Sequence, residues 1–147
     1  MKITVEVPYA DIDAMGHLNN VAYLKYLETA RQKYWLAMQG STDFWDVDFV
    51  VAHSEIDYRS SVSMGEVLEI EIHATRMGAS SFDFGYVVRR TDGGLVAEAK
   101  TTQVSFDWKS HAKKPLSAER RRQIEDFEAR SLTPSPPASG GRGEGSG

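Results

Sequence analysis

One change of hydrophobic period constrains this chain more than any other feature. Between residues 20 and 40, Tyr23, Leu27, Ala30, Tyr34 and Ala37 recur at intervals of four and three, with Leu24 and Met38 alongside. That spacing predicts a single helix of about 18 residues, roughly 27 Å long. Asn19 or Asn20 suits its N-cap and Gly40 its stop. From residue 47 to residue 109 the period becomes two. Leu68, Ile70, Ile72 and Ala74 alternate with Glu69, Glu71 and His73, and Phe82, Phe84, Tyr86 and Val88 alternate with Asp83, Gly85, Val87 and Arg89. Asp92-Gly93-Gly94 marks a hairpin between two of these runs. The implied strands run to about 11–13 residues, against the usual five or six. A long antiparallel sheet with one early helix is an α+β arrangement in which the sheet curls around the helix. Its free edge favours pairing with a second copy, so a homo-oligomer is expected.

A short strand over residues 3–8 precedes the helix, and a second helix is expected over Ala118–Ala129 after Ser117. Residues 1–130 then form one domain, and the Pro-, Ser- and Gly-rich stretch 131–147 reads as a disordered tail. The chain of 147 residues suits one compact domain, and 41% apolar residues suffice for a core. A net charge of −4 argues against nucleic acid as the main partner. With no cysteine, disulfides, thiolate metal sites and a cysteine nucleophile are excluded. No apolar run reaches the length of a membrane span, and Glu6 and Asp11 interrupt any signal-peptide core. The expectation is a cytoplasmic protein with no membrane partner, no metal and no cofactor.

The chemistry-bearing residues crowd into the strand-to-helix connection. Asp11, Asp13, His17, Asn19 and Asn20 lie within ten positions, with Gly16 among them. A helix N-terminus offers unpaired N–H groups and the positive end of a dipole, suited to a developing oxyanion. A carboxylate beside it can attack a carbonyl or activate water. The same residue types also make ordinary turns and caps. A calcium loop fails, because Met15 stands where an oxygen ligand belongs and Ala22 where a bidentate Glu belongs.

The run from Asp11 through Gly16-His17, Asn19-Asn20 and Tyr23 to Glu28 and Arg31 resembles the signature of the 4-hydroxybenzoyl-CoA thioesterase family. Weaker similarities follow at Ile56-Asp57-Tyr58-Arg59, Met64-Gly65-Glu66, Ser80-Ser81-Phe82, Ala97-Glu98-Ala99-Lys100 and Val104-Ser105-Phe106-Asp107. The resemblance covers residues 3–125 and implies the hotdog fold and hydrolysis of an acyl-CoA, fatty or aryl. By the same resemblance Asp13 is the nucleophile or general base, and the backbone N–H of Asn20 is the oxyanion donor. Gly16 and His17 shape the loop against the thioester, and Tyr23 walls the acyl pocket. Arg59, Arg89 and Arg90 are the cations expected to meet the CoA phosphates. Asp11 reads as a supporting group and Glu28 as a surface or interface acid. Pocket depth should depend on Tyr23, Trp35, Phe44 and Trp45. The expected assembly is a homodimer or a tetramer made of two dimers. A thioesterase acting on acyl carrier protein and a non-catalytic acyl-binding hotdog protein are the alternatives.

Overall fold

The computed structural model describes residues 1–43 and 46–132. Strand β1 (Lys2–Glu6) leads through a single 3-10 turn (Tyr9–Asp11) and a loop into helix α1 (Asn20–Gln39). Strands β2 (Phe49–Tyr58), β3 (Val67–Met77), β4 (Ser81–Arg90) and β5 (Leu95–Asp107) follow, then a two-residue strand β6 (Ala112–Lys113) and helix α2 (Ala118–Leu132). The sheet is antiparallel in the order β1-β3-β4-β5-β2, with β6 attached to β5. The expected α+β hotdog arrangement is therefore present. Phe44, Trp45 and most of the expected tail, residues 133–147, lie outside the described residues; α2 itself continues through Ser131 and Leu132.

The period-two pattern has the anticipated effect. Leu68, Ile70 and Ile72 of β3, with Phe82, Phe84, Tyr86 and Val88 of β4, turn to one face and are buried. Helix α1 lies on that face. Trp35 stacks on Phe82 at 5.2 Å, and Tyr34 meets Phe84 edge-on at 4.7 Å. Each such side chain contributes on the order of 1.5–3 kcal/mol through burial. The buried arc of α1 is broader than its main stripe, since Ala22, Tyr26, Arg31 and Trp35 are buried as well. Leu24 and Ala37, grouped with the apolar face by their spacing, are not buried.

Both ends of α1 are fixed as expected. Asn19 Oδ1 accepts from the N–H of Val21 at 3.0 Å, and Gly40 closes the helix at φ 67°. Glycine is favoured there because a Cβ is costly in the left-handed region. The Asp92–Gly94 hairpin also forms, with Gly93 at φ 92°. Strand β2 pairs only with β5 and is an edge, exposed along most of its length after Phe49.

Candidate active site

The connection between β1 and α1 is pinched into a tight loop. Ile12 and Leu18 form an antiparallel bridge, and the Asp13 N–H donates to the His17 carbonyl at 2.9 Å. The Gly16 N–H returns to the Asp13 carbonyl at 3.0 Å, with Gly16 at φ 79°. Inside this turn Asp13 Oδ1 accepts from the backbone N–H groups of Met15, at 2.9 Å, and His17, at 3.3 Å. Among the described residues nothing donates to Oδ2. Asp13 is thus exposed, held by one oxygen and open at the other.

Asp11, two residues earlier, is the opposite case. It is 7% exposed; its Oδ1 takes Lys25 Nζ at 2.7 Å and its Oδ2 the Tyr26 hydroxyl at 2.6 Å. The bonds from Lys25 and Tyr26 hold the Asp11 carboxyl below the usual carboxylate range despite the opposing effect of burial. Burial, reinforced by Asp11, pushes the Tyr26 phenol upward, so it stays a donor. The Asp11 carbonyl also receives the Asn19 N–H at 2.8 Å. Asp11 therefore ties the loop to the first turns of α1.

A second segment meets this loop. The Leu18 N–H donates to Val62 in the β2–β3 connection at 2.7 Å. That connection is held from below by Arg90: its Nε donates to Glu66 at 2.7 Å, another nitrogen to Ser60 Oγ at 2.9 Å, and a third to the Ser61 carbonyl. Between loop and connection lies a cavity of about 390 Å³ lined by Asp13, His17, Leu18, Asn20, Tyr23, Tyr58, Arg59, Ser60 and Ser61. Tyr23 and Tyr58 pack edge-on at 5.1 Å, and the Tyr58 hydroxyl donates to the Asn20 carbonyl at 3.2 Å.

Five residues singled out in the sequence, Asp13, His17, Asn20, Tyr23 and Arg59, are thereby brought to one cavity. Gly16 makes the turn and does not line the cavity. Arg89 lies on the outer face of β4 and donates to the Gly93 carbonyl at 3.2 Å. Arg90 supports the wall from behind. Arg59 is shared with Glu98 at 3.1 Å and Asp57 at 3.8 Å. Leu18, Tyr58, Ser60 and Ser61 were not singled out as site residues; of these Tyr58 falls within the Ile56–Arg59 similarity, and Ser60 and Ser61 follow directly after it. Glu28 is exposed on α1 and accepts from Gln32 at 3.3 Å. Among the described residues no group of three or more His, Asp or Glu comes together to hold a metal, and no helix is long and apolar enough to cross a membrane.

As the first residue of α1, Asn20 has an N–H with no carbonyl one turn earlier to bind. The capping bonds use Val21 and Ala22 instead. Asp13 and the first residue of α1 thus line the same cavity. The chain belongs to the Thioesterase-like superfamily, which it matches over residues 7–124. It is 29% identical over 133 residues to the long-chain acyl-CoA thioesterase FadM of Escherichia coli K12, covering 86% of this chain and 98% of that one. A Thermus thermophilus thioesterase complexed with coenzyme A and Zn superimposes with a TM-score of 0.79 at 28% identity, over 88% of this chain and 94% of that one. The probable thioesterase YbaW of Escherichia coli does so with 0.74 at 28% identity, over 87% and 98%.

Proposed function

We propose that the protein hydrolyses acyl-CoA thioesters, with Asp13 as the carboxylate that acts. One observation carries the assignment of the residue: Asp13 lines the cavity, its Oδ1 is fixed by two backbone N–H groups, and among the described residues its Oδ2 has no donor. A carboxylate held this way keeps its orientation without losing its reactive oxygen. In the general-base form, Oδ2 takes a proton from water as the water oxygen bonds to the thioester carbon. The carbonyl oxygen, now anionic, accepts from the Asn20 N–H under the positive end of the α1 dipole. The C–S bond then breaks, and the departing thiolate takes up the proton, leaving free acid and CoA. In the nucleophilic form Oδ2 bonds to the carbonyl carbon and the C–S bond breaks, releasing the CoA thiolate; water then hydrolyses the mixed anhydride, freeing the acid and the Asp13 carboxylate, and the thiolate takes up the proton released. His17 and Gly16 shape the loop around the thioester in either case, and Tyr23 walls the acyl group.

Arg59 is the cation nearest to the cavity and so the first candidate for the phosphates of CoA. Arg89 and Arg90, at the far end of β4, are the candidates for a nucleotide that runs over the rim. The same reading includes a cytoplasmic location, where CoA thioesters are made and used, and a homodimer or a tetramer of two dimers. Edge strand β2, with Val51 and Tyr58 exposed, is the surface on which a second copy would pair.

The test is thiol release from short, long and aryl acyl-CoAs, beside matched acyl carrier protein substrates, with Asp13→Ala as control. Turnover of at least one acyl-CoA is expected, falling by about 10²–10⁴ in the variant. Full turnover by Asp13→Ala would remove Asp13 from the mechanism. Preference for the carrier protein would replace the substrate, and tight acyl-CoA binding without turnover would point to a binding protein.

A further inference from the structure

Between the end of β2 at Tyr58 and the start of β3 at Val67 the chain forms neither helix nor strand, yet Arg59, Ser60 and Ser61 of this stretch make one wall of the Asp13 cavity. A wall with no ladder of its own stands where its individual bonds put it. Its ends are tied by backbone. The N–H groups of Arg59 and Ser60 donate to the Val96 carbonyl at 2.8 and 3.2 Å, and the Gly65 N–H donates to the Val7 carbonyl at 3.0 Å.

The middle is tied by one side chain. The Arg90 guanidinium donates to Ser60 Oγ, to the Ser61 carbonyl and to Glu66 Oε1, and Glu66 Oε2 in turn accepts from the Ser63 N–H at 2.6 Å. The Arg90 and Glu66 side chains are mostly buried, at 26% and 32% exposed. Bonds between charged partners are the strong kind, and a planar fork fixes direction as well as distance.

From this wall the ties lead on to the carboxylate. The Val62 carbonyl holds the Leu18 N–H, Leu18 bridges Ile12, and Ile12 precedes Asp13. Burial pushes the Tyr23 phenol up, and the charges of Arg90 and Glu66 act on it as well, so the ion pair stands close to this cavity residue. Arg90 itself does not line the cavity. Three of its five N–H groups are spent on the one loop. Bracing a wall and meeting a phosphate are different roles with different kinetic signatures, and these bonds favour the brace.

We propose that Arg90 is a positioning residue for hydrolysis. It holds the Ser60–Val62 wall at the distance from the Asp13 loop that a thioester requires, and it acts on turnover through that wall instead of through the CoA phosphates. A displacement of about 1 Å around a reacting group is enough to cost on the order of 10²-fold in rate. This rests on the acyl-CoA hydrolase reading and adds to it a residue outside the cavity.

The test compares an acyl-CoA that the wild type cleaves with the same acyl group on pantetheine, which keeps the thioester and lacks the nucleotide and its phosphates. Thiol release gives kcat and KM on both for the wild type, Arg90→Met, Arg90→Lys and Glu66→Gln, at a temperature where circular dichroism shows each protein folded. In Arg90→Met kcat should fall by about tenfold or more, by the same factor on the two thioesters, with KM little changed. Arg90→Lys should stay close to Arg90→Met, because one ammonium keeps the charge but spans fewer acceptors. Glu66→Gln keeps the shape of the segment and should show a smaller fall in kcat, again common to both thioesters; it decides if Arg90→Met does not fold. A higher KM on acyl-CoA alone, with the pantetheine thioester unaffected and Arg90→Lys restoring use, would make Arg90 a phosphate contact and overturn the proposal. So would a lower melting temperature with kcat kept on both thioesters, which would leave the bonds a role in stability only. Absence of wild-type turnover on any thioester overturns the hydrolase reading, and this proposal with it.

Discussion

The two halves of α1 each meet a cluster of carboxylates, and they use it differently. In the first half, Asp11 is saturated by Lys25 and Tyr26 while Asp13 keeps one oxygen open. In the second half, Glu128 of α2 has no oxygen to spare. Its Oε1 accepts from the Tyr34 hydroxyl at 2.5 Å and the Ala74 N–H at 2.7 Å, and its Oε2 meets His73 Nδ1 at 3.0 Å. His73 Nε2 in turn reaches Glu71 at 2.7 Å. The register of β3 against β4 slips between Ala74 and Arg76, so Glu128 completes the bonding of a bulged strand and fastens α2 to it. An acid with both oxygens bonded to the protein stabilises the fold. An acid beside a cavity with a lone pair free can act on a substrate. Residue type and local crowding do not separate these cases; the direction of the donors does.

The largest expected effect breaks the comparison inside the first cluster. Asp13→Asn should lower kcat by about 10²–10⁴ with little change in melting temperature. Asp11→Asn should do the reverse in kind. It loses an ion pair to a lysine that is largely exposed, which is worth little, and weakens a buried bond from Tyr26; together these cost about 1–2 kcal/mol. Calorimetry and thiol release on both variants check this. If Asp11→Asn lost the greater part of turnover at unchanged stability, the roles of the two acids would be exchanged.

The second cluster gives the next effect. Glu128→Ala leaves the Tyr34 hydroxyl and the Ala74 N–H without their acceptor, a loss of about 2–4 kcal/mol in denaturant unfolding. Catalytic parameters at 25 °C should change little, because no residue of the Asp13 cavity touches this network. A large fall in kcat with normal stability would mean that α2 docking controls the site.

How much of this was legible in the sequence follows from the range of the interactions involved. The helix limits, the hairpin at Asp92–Gly94 and the inward faces of β3 and β4 depend on neighbours in the chain, and period and capping residues report those. The gathering of Asp13, His17, Asn20 and Tyr23 was also accessible, since all four lie in one short run that passes from the strand-to-helix connection into the first turn of α1. Arg90 was not. Its pattern of bonds to Ser60, Ser61 and Glu66 depends on how β4 lines up with β3 and on the path of a distant loop. The pairing of His73 with Glu128 likewise needs α2 to return across the sheet. The two-residue strand β6 has no alternation long enough to register.

Acid should weaken both clusters. In the folded state hydrogen bonds from Lys25 and from His73 hold Asp11 and Glu71, respectively, below their ordinary range; Arg90 does the same for Glu66 and Arg76 for Asp83. Groups with depressed folded values contribute stability that is present above the unfolded values, near pH 4, and disappears as pH falls through the lower folded values. Melting temperature should therefore fall below about pH 4, and less steeply in Asp11→Asn, which has one such group fewer. Parallel profiles for the wild type and the variant would show that the Asp11 contacts contribute no net stability.

The smallest effect tests the turn that presents Asp13. Gly16 lies at φ 79°, and a Cβ built there meets no atom within 4 Å. Gly16→Ala therefore carries a backbone cost only, about 1 kcal/mol for a left-handed alanine. Stability should drop by that amount if the loop keeps its shape. If the loop relaxes instead, the N–H groups of Met15 and His17 shift away from Asp13 Oδ1, and the penalty moves from stability to kcat. Measuring both on one preparation shows whether the rigidity of this turn serves the fold or the carboxylate it holds. A variant unchanged in stability and in rate would mean that the grip on Asp13 Oδ1 does not depend on a glycine at this position.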